Sequence, residues 1–258
     1  MNFDDLDAKM RVFETSHDFC VLPGVYMVAR LDGRGFTRLT KEVHKFEAPF
    51  DERFRDHMLA VVQHLVGADF RVVYGYTQSD EISLLFQLEA DLFNRKLRKL
   101  DSILAAEASA VFSLRLGAMG CFDCRISQLP NAELVREYFR WRQEDASRNA
   151  LNAHCYWTLR KEGKSASSAT NALKNLSRAE KNELLFQRGV NFNDLPAWQK
   201  RGSGVYWETF EKEGFNPKTG QTMKASRRRL KVDLELPMKL EYDEFLAVRI
   251  QEATNCSG

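Results

Sequence analysis

Residues 25–36 read Val25-Tyr26-Met27-Val28-Ala29-Arg30-Leu31-Asp32-Gly33-Arg34-Gly35-Phe36, an apolar run that stops at an acid and two glycines. Val25 to Leu31 suits a buried strand, which leaves Asp32 at its end. Phe50, Phe54, Met58, Val61 and Leu65 then recur at three- and four-residue steps, with Asp51 and Glu52 in the first turn; the spacing predicts a helix over 51–66. Phe70 to Tyr74 and Ile82 to Phe86 flank Gly75-Tyr76-Thr77-Gln78-Ser79-Asp80-Glu81, the pattern of a β-hairpin whose connection carries two adjacent acids. Phe93, Leu97, Leu100, Leu104, Ala108, Val111 and Leu114 predict a second amphipathic helix over 89–116, with Arg95, Lys96, Arg98 and Lys99 on its polar side. A strand over 118–127 follows. Strand, helix, hairpin, helix, strand is the β-α-β-β-α-β order of the ferredoxin-like split βαβ motif. Residues 1–130 are therefore expected to form an α+β core, an antiparallel sheet with helices on one face.

Residues 131–258 extend that core. Asn131 is a good N-cap for a long helix on which Leu134, Tyr138, Trp141, Asp145, Arg148, Asn152, Tyr156 and Leu159 share one stripe at 100° per residue. The stripe is apolar at its ends and polar in the middle, so its centre is either a satisfied buried network or the wall of a cleft. Ser177-Arg178-Ala179-Glu180 has capping-box spacing and predicts a helix over 178–188. From Val205 the chain reads as a hairpin with Gly214, Pro217 and Gly220 in its turn and Arg229 to Leu236 returning. With no internal repeat and no long linker, the extension is expected to pack on the core as one structural unit.

The chain has 258 residues, 44% hydrophobic and 29% charged, with 14 Gly and 6 Pro, which excludes collagen-like, low-complexity and disordered classes. Lys and Arg number 38 against 36 Asp and Glu, and a net charge of +2 does not by itself announce a nucleic-acid partner. The start, Met1-Asn2-Phe3-Asp4-Asp5, is acidic where a secretory signal is basic, and no stretch of about 18 apolar residues occurs. A cytoplasmic protein with no membrane partner is expected, its five cysteines reduced.

Asp32 at one strand end and Asp80-Glu81 in the hairpin of the same sheet lie side by side if the strands are neighbours. A single loop acid usually reads as a solvated turn residue. Carboxylates grouped at a sheet edge instead suit Mg²⁺, which takes a few hard oxygen ligands and keeps positions for water and phosphates. Two such ions about 4 Å apart can activate a hydroxyl and stabilise a leaving pyrophosphate. Gly33 and Gly35 let backbone amides approach a triphosphate, although the Gly-Lys-Ser/Thr end of a P-loop is missing. Arg95, Lys96, Arg98 and Lys99, with Arg227, Arg228, Arg229 and Lys231, are either solvated faces or contacts for RNA phosphates. Cys121-Phe122-Asp123-Cys124 has zinc spacing that His154-Cys155 would complete, but alternation on a strand sends Cys121 and Cys124 to different faces if both lie in it. His17, His44, His57, His64 and His154 form no evident nucleophile-base arrangement.

Leu31-Asp32-Gly33-Arg34-Gly35-Phe36, Gln78-Ser79-Asp80-Glu81, Phe122-Asp123-Cys124-Arg125, Trp141-Arg142-Gln143 and Lys181-Asn182-Glu183-Leu184-Leu185-Phe186 closely resemble motifs of the tRNA-His guanylyltransferase family and its bacterial and archaeal relatives, in order from about Phe3 to Gly220. The resemblance implies a core like the palm of polymerases and nucleotide cyclases, and nucleotide addition to tRNA 5′ ends in the 3′-to-5′ direction. It implies that Asp32, the Gly33 carbonyl and Asp80 hold two Mg²⁺ ions with Glu81 in support. Gly33, Arg34, Gly35, Phe36, Thr37 and Ser79 would hold a nucleoside triphosphate, ATP or GTP included. Lys96 and Lys99 match basic positions linked to ATP-dependent 5′ activation. Arg142, Asp145, Arg148, Asn149 and Asn152 form the expected RNA-binding or cleft set. A homo-tetramer is implied as well. Two departures stand out. Ser147-Arg148-Asn149-Ala150 replaces the His-Ile-Asn-Asn of eukaryotic members, a pattern similar to relatives that favour template-directed repair of 5′-truncated tRNA over non-templated addition of one G. Phe46-Glu47-Ala48-Pro49 replaces Phe-x-Lys-Pro, losing a lysine that contacts nucleotide in relatives, which leaves Lys41 or Lys45 to compensate. A nucleotide cyclase, needing similar acids but no RNA, and a non-catalytic tRNA-binding protein are the alternatives.

Overall fold

A computed structural model of the chain describes residues 1–216 and 221–255. Its elements run α1 (Phe3–Thr15), β1 (Tyr26–Gly33), α2 (Phe36–Arg38) continuing into a wide helical turn over Leu39–Val43, α3 (Glu52–Gly67), β2 (Val72–Gln78), β3 (Glu81–Phe86), α4 (Leu97–Leu116), β4 (Phe122–Leu129), α5 (Ala132–Lys161), α6 (Ala166–Leu173), α7 (Arg178–Phe186), α8 (Ala197–Arg201), β5 (Ser203–Asn216), β6 (Gln221–Asp233) and α9 (Lys239–Asn255). The strands form one sheet in the order β4-β1-β3-β2-β5-β6, every neighbour antiparallel.

Strand alternation divides the sheet into two faces. Met27, Ala29 and Leu31 of β1 and Ile82, Leu84 and Phe86 of β3 join a core with α3 and α4, which supply Val61, Val62, Leu65, Leu100, Leu104 and Phe112. Gly75 of β2 lies beneath α3, where a Cβ would stand 2.4 Å from Val62, so only glycine permits this approach. Tyr26, Val28, Tyr74 and Leu85 face the other way, into a second core with Val135 and Phe139 of α5 and Tyr242, Leu246 and Ile250 of α9. Helices therefore cover both faces, where one covered face was expected. The α9 pattern, Tyr242, Leu246, Ile250 and Ala253, has helical spacing but follows Pro237 in a stretch read only as the end of a hairpin.

Other boundaries move for physical reasons. The second long helix begins at Leu97, not near 89, because Phe93, Asn94 and Arg95 are all left-handed. The buried Arg95 guanidinium donates to the carbonyls of Val21, Leu88, Ala90 and Val25 at 2.6–3.1 Å, so it ties chain segments together instead of meeting phosphate. Along α5 the buried side includes Val135, Tyr138, Phe139, Arg142, Ala146, Ala150 and Leu159. Tyr138 and Leu159 of the expected stripe are buried, whereas Leu134, Trp141 and Asn152 are exposed and their neighbours Val135, Arg142 and Leu151 are buried in their place. The Asn131 cap and the Ser177 capping box are present. Gly214 lies within β5; Pro217 and Gly220 fall outside the described residues. Cys121, Cys124 and Cys155 are free thiols, Cys155 belonging to a separate core under α5 and Cys124 packing against the α4 side, so a shared zinc is not assembled. No helix among the described residues is long and apolar enough to cross a membrane.

Candidate active site

On the α5 side, the sheet changes character along each strand. Tyr26 and Val28 are apolar, but Arg30 and Asp32, two and four residues further on the same face, are charged. The β1–β3 register sets Asp32 opposite Glu81, and the β1–β4 register sets Asp32 opposite Asp123 and Arg30 opposite Arg125. Ser79 and Asp80 form the tight β2–β3 turn, with Ser79 left-handed at φ 53°. The Gly33 amide donates to the Asp80 carbonyl at 3.0 Å, which pins this turn to the end of β1. Phe36 folds back beneath Gly33 so closely that a Cβ there would lie 2.6 Å from its ring, and Gly35 turns the chain at φ 74°.

Three carboxylates meet at this edge in different states. Asp80 accepts a 3.1 Å hydrogen bond from the Ser79 hydroxyl; burial pushes its carboxyl above the ordinary range, and the nearby Asp32 and Glu81 charges push the same way. Asp32 has Arg30 and Arg125 at 3.7 and 3.6 Å. Glu81 is fully engaged: one oxygen accepts from Arg30, the other from the buried Arg142. Arg142 lies over the Trp141 ring at 4.6 Å and 3.4 Å from Asp145, which also accepts from Asn149 at 3.2 Å and pairs with Arg148. Asp32 and Asp80 thus keep carboxylate oxygens for a cation, whereas Glu81 is committed to arginines. Among the described residues no three His, Cys, Asp or Glu side chains stand close enough together to hold a metal ion between them. This donor set fits Mg²⁺, which binds through one or two carboxylates and takes the rest of its shell from carbonyls, water and substrate phosphate.

Two cavities open beside these acids. The first, about 110 Å³, has Phe36, Phe46, Phe54 and Trp198 in its wall and Thr37, Ser79 and Asp80 at its polar side. The second, about 270 Å³, lies between the β2–β3 edge and α5, bordered by Tyr76, Glu81, Arg142, Asp145, Asn149 and Trp157. A third, about 540 Å³, lies along another side of α5 with Arg140, Arg148, Arg178, Lys181 and Lys239 around it and the exposed Trp141.

Asp32, Gly33, Ser79, Asp80, Glu81, Arg142, Asp145 and Asn149 are therefore brought to one region, with Phe36 and Thr37 in the adjoining wall. Arg34 is exposed, Arg148 faces the third cavity and Asn152 borders none of these three. Lys96 and Lys99 do not join the acids. They begin α4 beside residues 20–25, at the entry of β1, whereas Asp32 is at its exit; eight strand residues separate these ends by about 23 Å. Lys96 and Arg98 both pair with Asp18, whose carboxyl they hold well below the usual range. In the β5–β6 hairpin, Arg229 and Lys231 pair with Glu208 and Arg228 lies over Trp207. Sequence reasoning missed Arg30, Arg125, Trp157 and Trp198. Strand parity with Asp32 was a usable signal for Arg30; the tryptophans come from distant helices with no local mark.

Comparison with known proteins bears on this arrangement. Residues 7–130 match the family profile described as tRNAHis guanylyltransferase, and residues 133–243 match that of its C-terminal domain. The tRNA(His) guanylyltransferase of Debaryomyces hansenii is 31% identical over 229 residues, 83% of this chain and 86% of that protein. A probable tRNA(His) guanylyltransferase of Drosophila melanogaster is 34% identical over 72% of this chain and 68% of its own length. For tRNA(His) guanylyltransferase 1 of Arabidopsis thaliana, 31% identical over 82% of this chain, the match spans 39% of that longer protein. Among solved structures, a bacterial tRNA(His) guanylyltransferase (Thg1)-like protein in complex with GTP superposes with a TM-score of 0.75 at 27% identity, covering 96% of this chain and 99% of that one. The ATP complex of a bacterial protein of that description gives 0.72 at 26% identity, covering 95% and 99%. The Saccharomyces cerevisiae enzyme gives 0.70 at 27% identity, covering 76% and 91%.

Proposed function

The chain belongs to the tRNAHis guanylyltransferase family, and from that premise we propose that it is a Mg²⁺-dependent nucleotidyltransferase that extends tRNA 5′ ends in the 3′-to-5′ direction, chiefly by template-directed repair of truncated tRNA. The observation that carries the reading is the meeting of Asp32, Gly33 and the half-buried Asp80 beside an aromatic-walled cavity. The β4-β1-β3-β2 strand order supports a palm-like split βαβ core.

Asp32, Asp80 and the Gly33 carbonyl are the groups that would hold two Mg²⁺ ions. When bound, these supply activation of the attacking hydroxyl and charge stabilisation at the leaving phosphate. The Gly33–Thr37 segment and Ser79 hold the triphosphate, and the first cavity takes its base. Arg30 and Arg142 fix Glu81, keeping its charge next to Asp32 without offering its oxygens. On an RNA with a 5′-monophosphate, that phosphate attacks the α-phosphorus of ATP and pyrophosphate leaves; the 3′-hydroxyl of the incoming nucleotide then attacks the RNA 5′-phosphorus, loses its proton, and AMP leaves. On a 5′-triphosphorylated end the first step is unnecessary and pyrophosphate leaves directly. Lys96 and Lys99 lie by the entry of β1 and these atoms by its exit, about 23 Å along the strand; Lys96 is paired with Asp18, so the exposed Lys99 is the one that holds an RNA phosphate elsewhere, within the chain or across a homo-tetramer. A cytoplasmic enzyme is the matching reading.

Ser147-Arg148-Asn149-Ala150 supports repair over addition of a single G. The relatives' names favour single-G addition as the second reading. Incubation with a 5′-triphosphorylated, truncated tRNA and labelled nucleotides is expected to show incorporation in Mg²⁺, loss with EDTA and recovery on adding Mg²⁺ back. No incorporation, or a cyclic nucleotide formed without RNA, overturns the reading.

A further inference from the structure

The first two cavities share a wall made by Lys41, Pro49, Phe50, Gln78, Ser79 and Asp80. Three cationic side chains border these cavities, and two are committed. Arg142 is held by Glu81 and Asp145. Arg55 lies over the Trp198 ring at 4.7 Å and pairs with Asp56 at 2.8 Å. Lys41 has no carboxylate within ion-pair distance among the described residues; its Nζ sits 5.3 Å from the centre of the Trp157 ring. It reaches this place from the wide turn Leu39–Val43, which directly continues the Gly33–Thr37 segment, while Trp157 comes from α5. A cation over an aromatic face keeps its full charge, which a carboxylate partner would cancel.

Charge at the seam makes this placement informative. Asp80, Glu81 and Asp145 border the second cavity, so a polyphosphate entering it meets repulsion that metal and cationic side chains must offset. Ala48, one residue before Pro49, lines the first cavity and brings no charge. Lys45 lines neither.

We propose that Lys41, steadied against Trp157, is the phosphate-binding lysine of this chain and neutralises the polyphosphate of a nucleoside triphosphate where the two cavities join. Only the identity of the ligand as a nucleoside triphosphate rests on the nucleotide-transfer reading. Calorimetric titration of the full chain with ATP and with AMP, both with Mg²⁺, tests it. Lys41→Ala is expected to weaken ATP binding by about 10- to 100-fold and AMP binding far less, because the lost partner is the polyphosphate. Lys41→Arg should stay within about threefold of the wild type, since it keeps the charge over the ring. Lys45→Ala should match the wild type, and Trp157→Leu should fall between wild type and Lys41→Ala. ATP binding by Lys41→Ala equal to that of the wild type, or equal weakening for ATP and AMP, overturns the assignment. A wild-type chain that binds ATP through Lys41 yet transfers nothing to tRNA overturns the transferase reading and leaves the assignment standing.

Discussion

Asp32→Ala and Asp80→Ala are each expected to lower nucleotide transfer to 5′-triphosphorylated tRNA by about 1,000-fold or more, since on the proposed assignment each removes a hard ligand on which charge stabilisation depends. The fold should survive, because neither carboxylate holds structure together. Asp80 accepts one side-chain hydrogen bond, from its neighbour Ser79, and Asp32 has only two guanidinium groups beyond 3.5 Å. The sign of the stability change separates a metal ligand from a structural acid. A carboxyl raised in the folded state adds stability while protonated, and this is lost as pH rises through its folded value. At neutral pH without metal, Asp80 is therefore a burden, and Asp80→Asn should raise the melting temperature. Added Mg²⁺ should raise the wild-type value and move Asp80→Asn little. Unchanged transfer rates in both alanine variants, measured with folding checked by circular dichroism, would contradict this assignment.

Arg95→Ala is expected to produce the largest loss of stability. Its guanidinium satisfies four carbonyls, from the entry of β1 and from the segment after β3. Alanine would leave these acceptors short of donors in a buried place, at a cost of about 3–5 kcal/mol. For a chain of this size that corresponds to a drop in melting temperature of about 6–20 °C. RNA affinity per folded molecule should hold within about twofold, because the charge is internal. Lys99→Ala should do the opposite, leaving the melting temperature in place and flattening the salt dependence of RNA binding. Thermal melts paired with salt-dependent binding distinguish them.

The contrast between Arg95 and Lys99 shows where sequence reading reached and where it stopped. Both were placed on the polar side of one helix, because apolar spacing from Phe93 onward suited a continuous helix. Three successive left-handed residues break it, and with no glycine or proline at 93–95 nothing local signals that break. The six-element core and the meeting of Asp32 with Asp80 were legible because alternation, short turns and strand ends are local properties. Arg30 was legible too, through its parity with Asp32, but was not used. Arg142, Gln143 and Ser147 put polar groups on the buried side of α5, because their partners lie on elements distant in sequence, so the apolar pattern placed the start of that helix and the burial of Tyr138 and Leu159 but missed the polar middle of its buried face. Closure of the second sheet face by α9 required reading a helix after the hairpin, where Tyr242, Leu246 and Ile250 did carry the period.

The central claim concerns what directs addition at the site formed by Asp32 and Asp80. It is tested most directly by supplying one 5′-truncated tRNA in four versions, differing only in the base opposite the vacant position, with each labelled nucleotide in turn. Incorporation of the nucleotide complementary to the opposing base in every version is the predicted result. Addition of G whatever base stands opposite, or incorporation of no nucleotide at all, would contradict it.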